Sequence, residues 1–103
     1  MASTPEAKVK AKVKRAFTEM KQQLGIEVYY HMPVQNGMGA PTLDFVGCIR
    51  GQFFGIETKA PGKKPTERQL QTIAEMERAG AKTYVYDGSY DERFAEWLLS
   101  LSK

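Results

Sequence analysis

The stretch LDFVGCIRGQFFGIETK, residues 43–59, constrains the fold of this chain most, because it reads as two strands joined at Arg50-Gly51. Leu43, Phe45, Gly47 and Ile49 alternate with Asp44, Val46 and Cys48; beyond the break, Phe54, Ile56 and Thr58 alternate with Phe53, Gly55, Glu57 and Lys59. Such period-two alternation marks pleated strands. With a two-residue turn at Arg50-Gly51, Ile49 faces Gln52, and the register carried outward sets Asp44 directly opposite Glu57. Opposed side chains share a face with Cβ atoms roughly 4.5–5.5 Å apart, so two carboxylates there repel unless positive charge lies between them. Lys59, two residues past Glu57, projects to the same face. A divalent cation would satisfy the acids. The blander alternative is a surface ion pair between Glu57 and Lys59, worth about 1 kcal/mol at most.

Residues 5–24 predict an amphipathic helix, since Val9, Val13, Phe17, Met20 and Leu24 recur at spacings of three and four. Thr4 can cap it, with Pro5 at the first helical position and Gly25 just past the end. Glu6 continues the apolar stripe, either as a first-turn acid favoured by the helix dipole or as a functional group; Glu19 falls on the solvated side. Residues 26–32 predict a strand by their β-branched and aromatic content. His31, the only histidine, has no cysteine or histidine partners for a zinc site and reads first as a structural hydrogen-bonding group. Cys48, the only cysteine, excludes an internal disulfide and is expected to be a buried small apolar residue. In the loop 33–41, PVQNGMGAP, Gln35 and Asn36 either donate to phosphates or base edges or merely form a tight turn at Asn36-Gly37.

After the hairpin, residues 60–65 form a short basic loop. Thr66 and Gln69 match a capping box opening a helix over 66–79. Gln69 also shares the stripe of Ile73 and Met76, so its amide serves either the cap or the Glu57-Lys59 end. A strand follows at 82–87, then a last helix capped by Ser89 with Glu92 and bearing Phe94, Trp97, Leu98 and Leu101. The order α-β-β-β-α-β-α, without repeats or linkers, fits one α/β domain over residues 1–103, with residues 1–4 an expected disordered lead-in. No apolar run is long enough to span a bilayer and the first residues lack a signal-peptide core, so a cytoplasmic location is expected. Net charge is +3, but its distribution says more. Lys8, Lys10, Lys12, Lys14, Arg15 and Lys21 stand against Glu19 alone in one cluster, and Lys59, Lys63, Lys64 and Arg68 against Glu67 alone in another. Two basic clusters therefore flank the acidic patch, either as solvated faces or as an anion-binding surface.

This constellation resembles the PD-(D/E)XK nuclease superfamily, whose metal site is an Asp and a Glu-x-Lys on adjacent strands, here Asp44 and Glu57-Thr58-Lys59. More closely, PEAKVK at 5–10, PVQNG at 33–37 and FFGIETKAPGKKPT at 53–66 resemble the small stand-alone VRR-NUC domains of phages, over nearly the whole span from Pro5 to Gly88. The resemblance implies a restriction-endonuclease-like core, with a four-stranded mixed sheet flanked by helices. It implies that Asp44, Glu57, the Thr58 carbonyl and, by the match of PEAKVK, Glu6 hold a divalent metal, Mg2+ with Mn2+ as substitute. Lys59 would serve the attacking water and Gln69 would stand near the site. Lys8, Lys10, Lys12, Gln35, Asn36, Lys63 and Lys64 are the expected nucleic-acid contacts. The implied activity is metal-dependent DNA endonucleolysis on branched DNA such as Holliday junctions, by a homodimer in the host cytoplasm if the chain is phage-encoded. The alternative is a DNA-binding accessory protein that keeps the fold without cutting. One departure is that Leu43 stands where the family usually has proline, with Pro41 three residues before Asp44.

Overall fold

The computed structural model describes residues 3–34 and 39–103. Four strands form one mixed sheet: β1 (Val28–His31), β2 (Phe45–Ile49), β3 (Gln52–Thr58) and β4 (Lys82–Tyr86), lying side by side in that order. Three helices, α1 (Pro5–Leu24), α2 (Glu67–Arg78) and α3 (Asp91–Ser100), complete the α-β-β-β-α-β-α order. The chain is thus α/β with a four-stranded mixed sheet flanked by helices, as expected.

The hairpin register is the one the alternation predicts. Ile49 pairs with Gln52, Cys48 with Phe53 and Phe45 with Ile56. The turn residues Arg50 (φ 48°) and Gly51 (φ 84°) are both left-handed, the conformation a two-residue type I′ turn demands. β1 pairs antiparallel on the other side of β2, while β4 lies parallel to β3. A parallel neighbour requires a crossover, which α2 supplies.

One layer of the core joins α1 and α3 to the sheet. Val9, Val13, Phe17 and Met20 of α1 meet Phe45, Ile49, Phe54 and Ile56 of the central strands, and Tyr86, Phe94 and Leu98 extend the cluster. Aromatic rings knit it: Phe17 lies 4.7 Å from Tyr30 and 5.7 Å from Phe54, and Phe94 stacks on Tyr86 at 4.2 Å. Offset and tilted ring pairs at such separations add stabilisation beyond their buried area. On the other face, α2 lies against β3, where Gly55 leaves room for Met76 and Leu43.

The cap at Thr4 forms, its hydroxyl accepting from the Ala7 amide at 3.1 Å. Of the expected disordered lead-in, Thr4 is therefore ordered by the helix it starts, and residues 1–2 lie outside the described residues. Several expectations are corrected. Leu24 is 56% exposed at the end of α1 instead of continuing the buried stripe. The strand expected over 26–32 is confined to Val28–His31, with Ile26 buried in the core. The strand expected from Leu43 begins at Phe45, and Leu43 packs beside Gly55 on the α2 side, off the face of Phe45. Ser89 does not cap α3. Tyr90 occupies the cap position in left-handed conformation without a side-chain bond, while Ser89 donates its amide to Asp87. Cys48 is partly exposed, because its cross-strand neighbours Tyr29 and Phe53 are themselves 74% and 47% exposed.

Candidate active site

Continuing the observed register one step past Phe45–Ile56 brings Asp44 opposite Glu57. Here the ladder changes character. The Asp44 amide donates to Glu57 Oε1 at 3.3 Å, and the Thr58 amide donates to Asp44 Oδ2 at 2.9 Å. Each acid thus accepts a backbone N–H from the facing strand, which is why regular pairing stops at Phe45 and the two carboxylates stay together. The Thr58 hydroxyl adds a 2.7 Å bond to the same Asp44 oxygen. Sequence reading assigned Thr58 only a backbone role, because period-two alternation sets its side chain on the face opposite Asp44 and Glu57.

Glu57 retains only 3% exposure. Burial first, and the charge of Asp44 second, raise its carboxyl from the ordinary 4.5 to about 7, against the opposing pull of Lys59 and the Asp44 amide; Glu6 pushes in the same direction as Asp44. Lys59 Nζ stands 4.0 Å from Glu57 Oε2, with its own side chain 15% exposed, so this is a largely buried contact and not a solvated surface pair. Lys59 is further anchored by its amide, which donates to the Tyr86 carbonyl at 2.9 Å.

Because the folded state holds Glu57 neutral at a pH where the unfolded chain has lost the proton, the sign of the linkage is unusual for an acid. The contribution is most favourable below about 4.5 and is lost as pH rises toward about 7. Asp87 and Asp91 have lowered values and contribute in the opposite sense, but only at more acid pH. In chelator, the melting temperature is therefore expected to drop by several degrees between pH 5 and 7.5 as followed by circular dichroism, and a flat profile would contradict this assignment.

The remaining candidates fall around this pair. Glu6 is half-buried in the first turn of α1, near enough for its charge to act on Glu57. Gln69 completes the capping box of α2: its Oε1 accepts from the Thr66 amide at 2.9 Å and its own amide donates to the Thr66 hydroxyl at 3.2 Å. Lys8, Lys63 and Lys64 are exposed and Lys10 is half-buried. Lys12 is engaged elsewhere, donating to the Gly88 carbonyl at 3.0 Å and pairing with Asp91 at 3.2 Å. Gln35 and Asn36 lie outside the described residues. His31 is exposed at the end of β1.

Oxygen donors of this kind suit a hard cation such as Mg2+, which needs few protein ligands and keeps several waters. No group of three or more His, Cys, Asp or Glu side chains among the described residues is placed to hold a metal ion. The side chains that could hold a cation here are therefore the two carboxylates, Asp44 and Glu57. A cation there would answer the conflict between the buried Glu57 and the half-buried Asp44 beside it.

No protein-family profile matches the chain, and no curated protein does. Among solved structures it is similar in fold to a VRR-NUC domain, with a TM-score of 0.63 at 21% identity, covering 95% of this chain and 97% of that one. The fold is thus the one that the residues around Glu57-Thr58-Lys59 resemble. No helix among the described residues is long and apolar enough to cross a membrane.

Proposed function

We propose that this chain, which carries the fold of a VRR-NUC domain, is a metal-dependent DNA endonuclease that hydrolyses phosphodiester bonds beside Asp44, Glu57 and Lys59. The observation that carries this reading is Glu57, held almost fully buried against Asp44 with Lys59 alongside. A binding module has no use for two acids kept together at the cost of raising one toward neutral pH.

Asp44 and Glu57, with the Thr58 carbonyl, are the residues that would hold Mg2+ or Mn2+; Glu6 is not grouped with them. When bound, such a cation neutralises charge on the phosphate and lowers the pKa of a water. Thr58 positions Asp44 through two hydrogen bonds to one carboxylate oxygen. Lys59 orients the attacking water and stabilises charge that grows on the phosphate oxygens. With its oxygen committed to the helix cap, Gln69 acts through its amide nitrogen. Lys8, Lys10, Lys63 and Lys64 hold the backbone, with Gln35 and Asn36 at the edge of the site. Lys12 joins them only by exchanging its partner Asp91, an exposed ion pair that is cheaply broken.

Branched DNA, such as a Holliday junction, is the proposed substrate. Paired cuts across a junction need two copies of the site, hence a homodimer. The test is a panel of labelled duplex, flap, splayed-arm and four-way junction DNA incubated with Mg2+ or Mn2+. Cleavage strongest on the branched members is expected. Binding without cleavage in either metal would instead mark a DNA-binding accessory protein.

A further inference from the structure

At the opposite end of the sheet from Asp44 and Glu57 lies an open cleft of about 610 Å3, lined among others by Arg50, Gln52, Lys82, Trp97 and Lys103. Its three cations come from three different elements: the β2–β3 turn, the first residue of β4 and the chain just beyond α3. No carboxylate side chain lines it, and among the described residues none of the three makes an ion pair. Arg50 holds a left-handed conformation that a type I′ turn ordinarily gives to asparagine or glycine. In return its guanidinium reaches across to the Ser102 carbonyl at 3.3 Å, which fixes it at the rim. Gln52 is likewise held, its side-chain amide donating to the Phe53 and Gly80 carbonyls at 2.8 and 3.1 Å. The C-terminal end of α3 offsets only about half a positive charge.

We propose that this cleft is a second phosphodiester-backbone site, which takes a segment of DNA other than the one at the carboxylate end. Cations in a concave surface focus positive potential, and an anchored guanidinium suits phosphate oxygens. Three cations on separate rims of an open cleft match phosphates in series better than one enclosed anion. From Gln52 to Glu57 the strand runs about 17 Å. The sheet between is covered by α1 and α3 on one face and by α2 on the other, in a body of 37 × 36 × 22 Å. Two arms meeting at an angle reach both sites. This assignment rests on the nuclease reading, yet it is read out by binding alone.

The test is fluorescence anisotropy in chelator, with a four-way junction and a short duplex, over a range of salt concentrations. Arg50→Asn together with Lys82→Gln removes two of the charges while creating an Asn-Gly turn suited to the hairpin, and its thermal melt checks that the fold is kept. Junction affinity is expected to fall about tenfold, with a slope of log affinity against log salt shallower by about 1.8, and short-duplex affinity to stay within about twofold. Lys14→Gln with Arg15→Gln, on the exposed side of α1, is the comparison of equal charge and should leave the ratio of junction to short-duplex affinity unchanged. Unaltered junction affinity and slope in the Arg50/Lys82 variant, or an equal fall of that ratio in the Lys14/Arg15 variant, overturns the proposal. A wild-type protein that binds no DNA overturns the nuclease reading itself.

Discussion

Glu57→Gln is expected to lower DNA cleavage by about a thousandfold or more while raising the melting temperature of the metal-free protein. The first effect follows from removing half of the proposed two-carboxylate metal site; a loss of about 4 kcal/mol of transition-state stabilisation corresponds to that factor. The second follows from the same burial that suits the site to a cation. Glu57 is 3% exposed, faces Asp44 and has its carboxyl raised to about 7, so above neutral pH the metal-free fold carries a buried charge that Lys59 and the Asp44 amide only partly offset. The span from 4.5 to about 7 corresponds to a destabilisation on the order of 3 kcal/mol. Glutamine keeps the shape and can still accept the Asp44 amide at Oε1, but carries no charge. The variant should therefore melt several degrees higher than wild type at pH 8 in chelator, and the gap should close as pH falls below 4.5, where the wild-type carboxyl becomes protonated in both states. Purely structural acids would give the reverse, lost stability with cleavage unchanged. Nuclease assays and calorimetric melts of the two proteins at both pH values distinguish these outcomes.

Gly47→Ala is expected to prevent folding, or to leave a protein unstable at room temperature. Gly47 sits mid-strand in β2, paired with Tyr30 on one side and Phe54 on the other. An added methyl would run into the Tyr29 carbonyl oxygen and come within 2.8 Å of the Tyr30 Cα and 2.9 Å of the Phe54 ring. Two of those atoms belong to the backbone of the neighbouring strand, so no rotamer change relieves the clash. Overpacking usually costs about 1–3 kcal/mol where side chains can adjust, and here they cannot. Because β2 also leads into Asp44, any survivor of the strain would shift that carboxylate relative to Thr58. Urea denaturation reads the stability, and a midpoint close to wild type would show that the strands separate more easily than this packing allows. Gly55→Ala makes a milder comparison, since its methyl meets only the flexible ends of Met76 and Leu43.

What was legible in the sequence was what local periodicity controls. The span of α1, the turn at Arg50-Gly51, the register that carries Asp44 opposite Glu57 and the capping box at Thr66 and Gln69 each depend on neighbours in sequence or on one tight turn, and all are found. The rest depends on which surfaces the folded chain covers. Cys48 reads as a core residue from its strand. Yet α2 lies over Gly55, and the cross-strand row of Tyr29, Cys48 and Phe53 stays partly open. The ion pair of Lys12 with Asp91 joins residues on two helices far apart in the chain, so the periodicity of α1 shows only a solvated lysine. Ser89 looked like a helix cap by composition. The Asp87 side chain takes the Ser89 amide, and the helix begins after a left-handed Tyr90 instead.

Within the candidate site the same division holds. Residue identity and register placed two acids and a lysine together. The bonds from the Thr58 amide and hydroxyl to Asp44, and the depth at which Glu57 is buried, come from the way the hairpin end is enclosed. These are the features on which the proposed preference for a cation rests.

The most direct test of that preference is calorimetric titration of Mn2+ into the wild-type protein and into Asp44→Ala at pH 8. Saturable binding in the wild type and no binding in the variant is the expected result. Equal heats in the two proteins, or none in either, would contradict the assignment of Asp44 and Glu57 as a metal site.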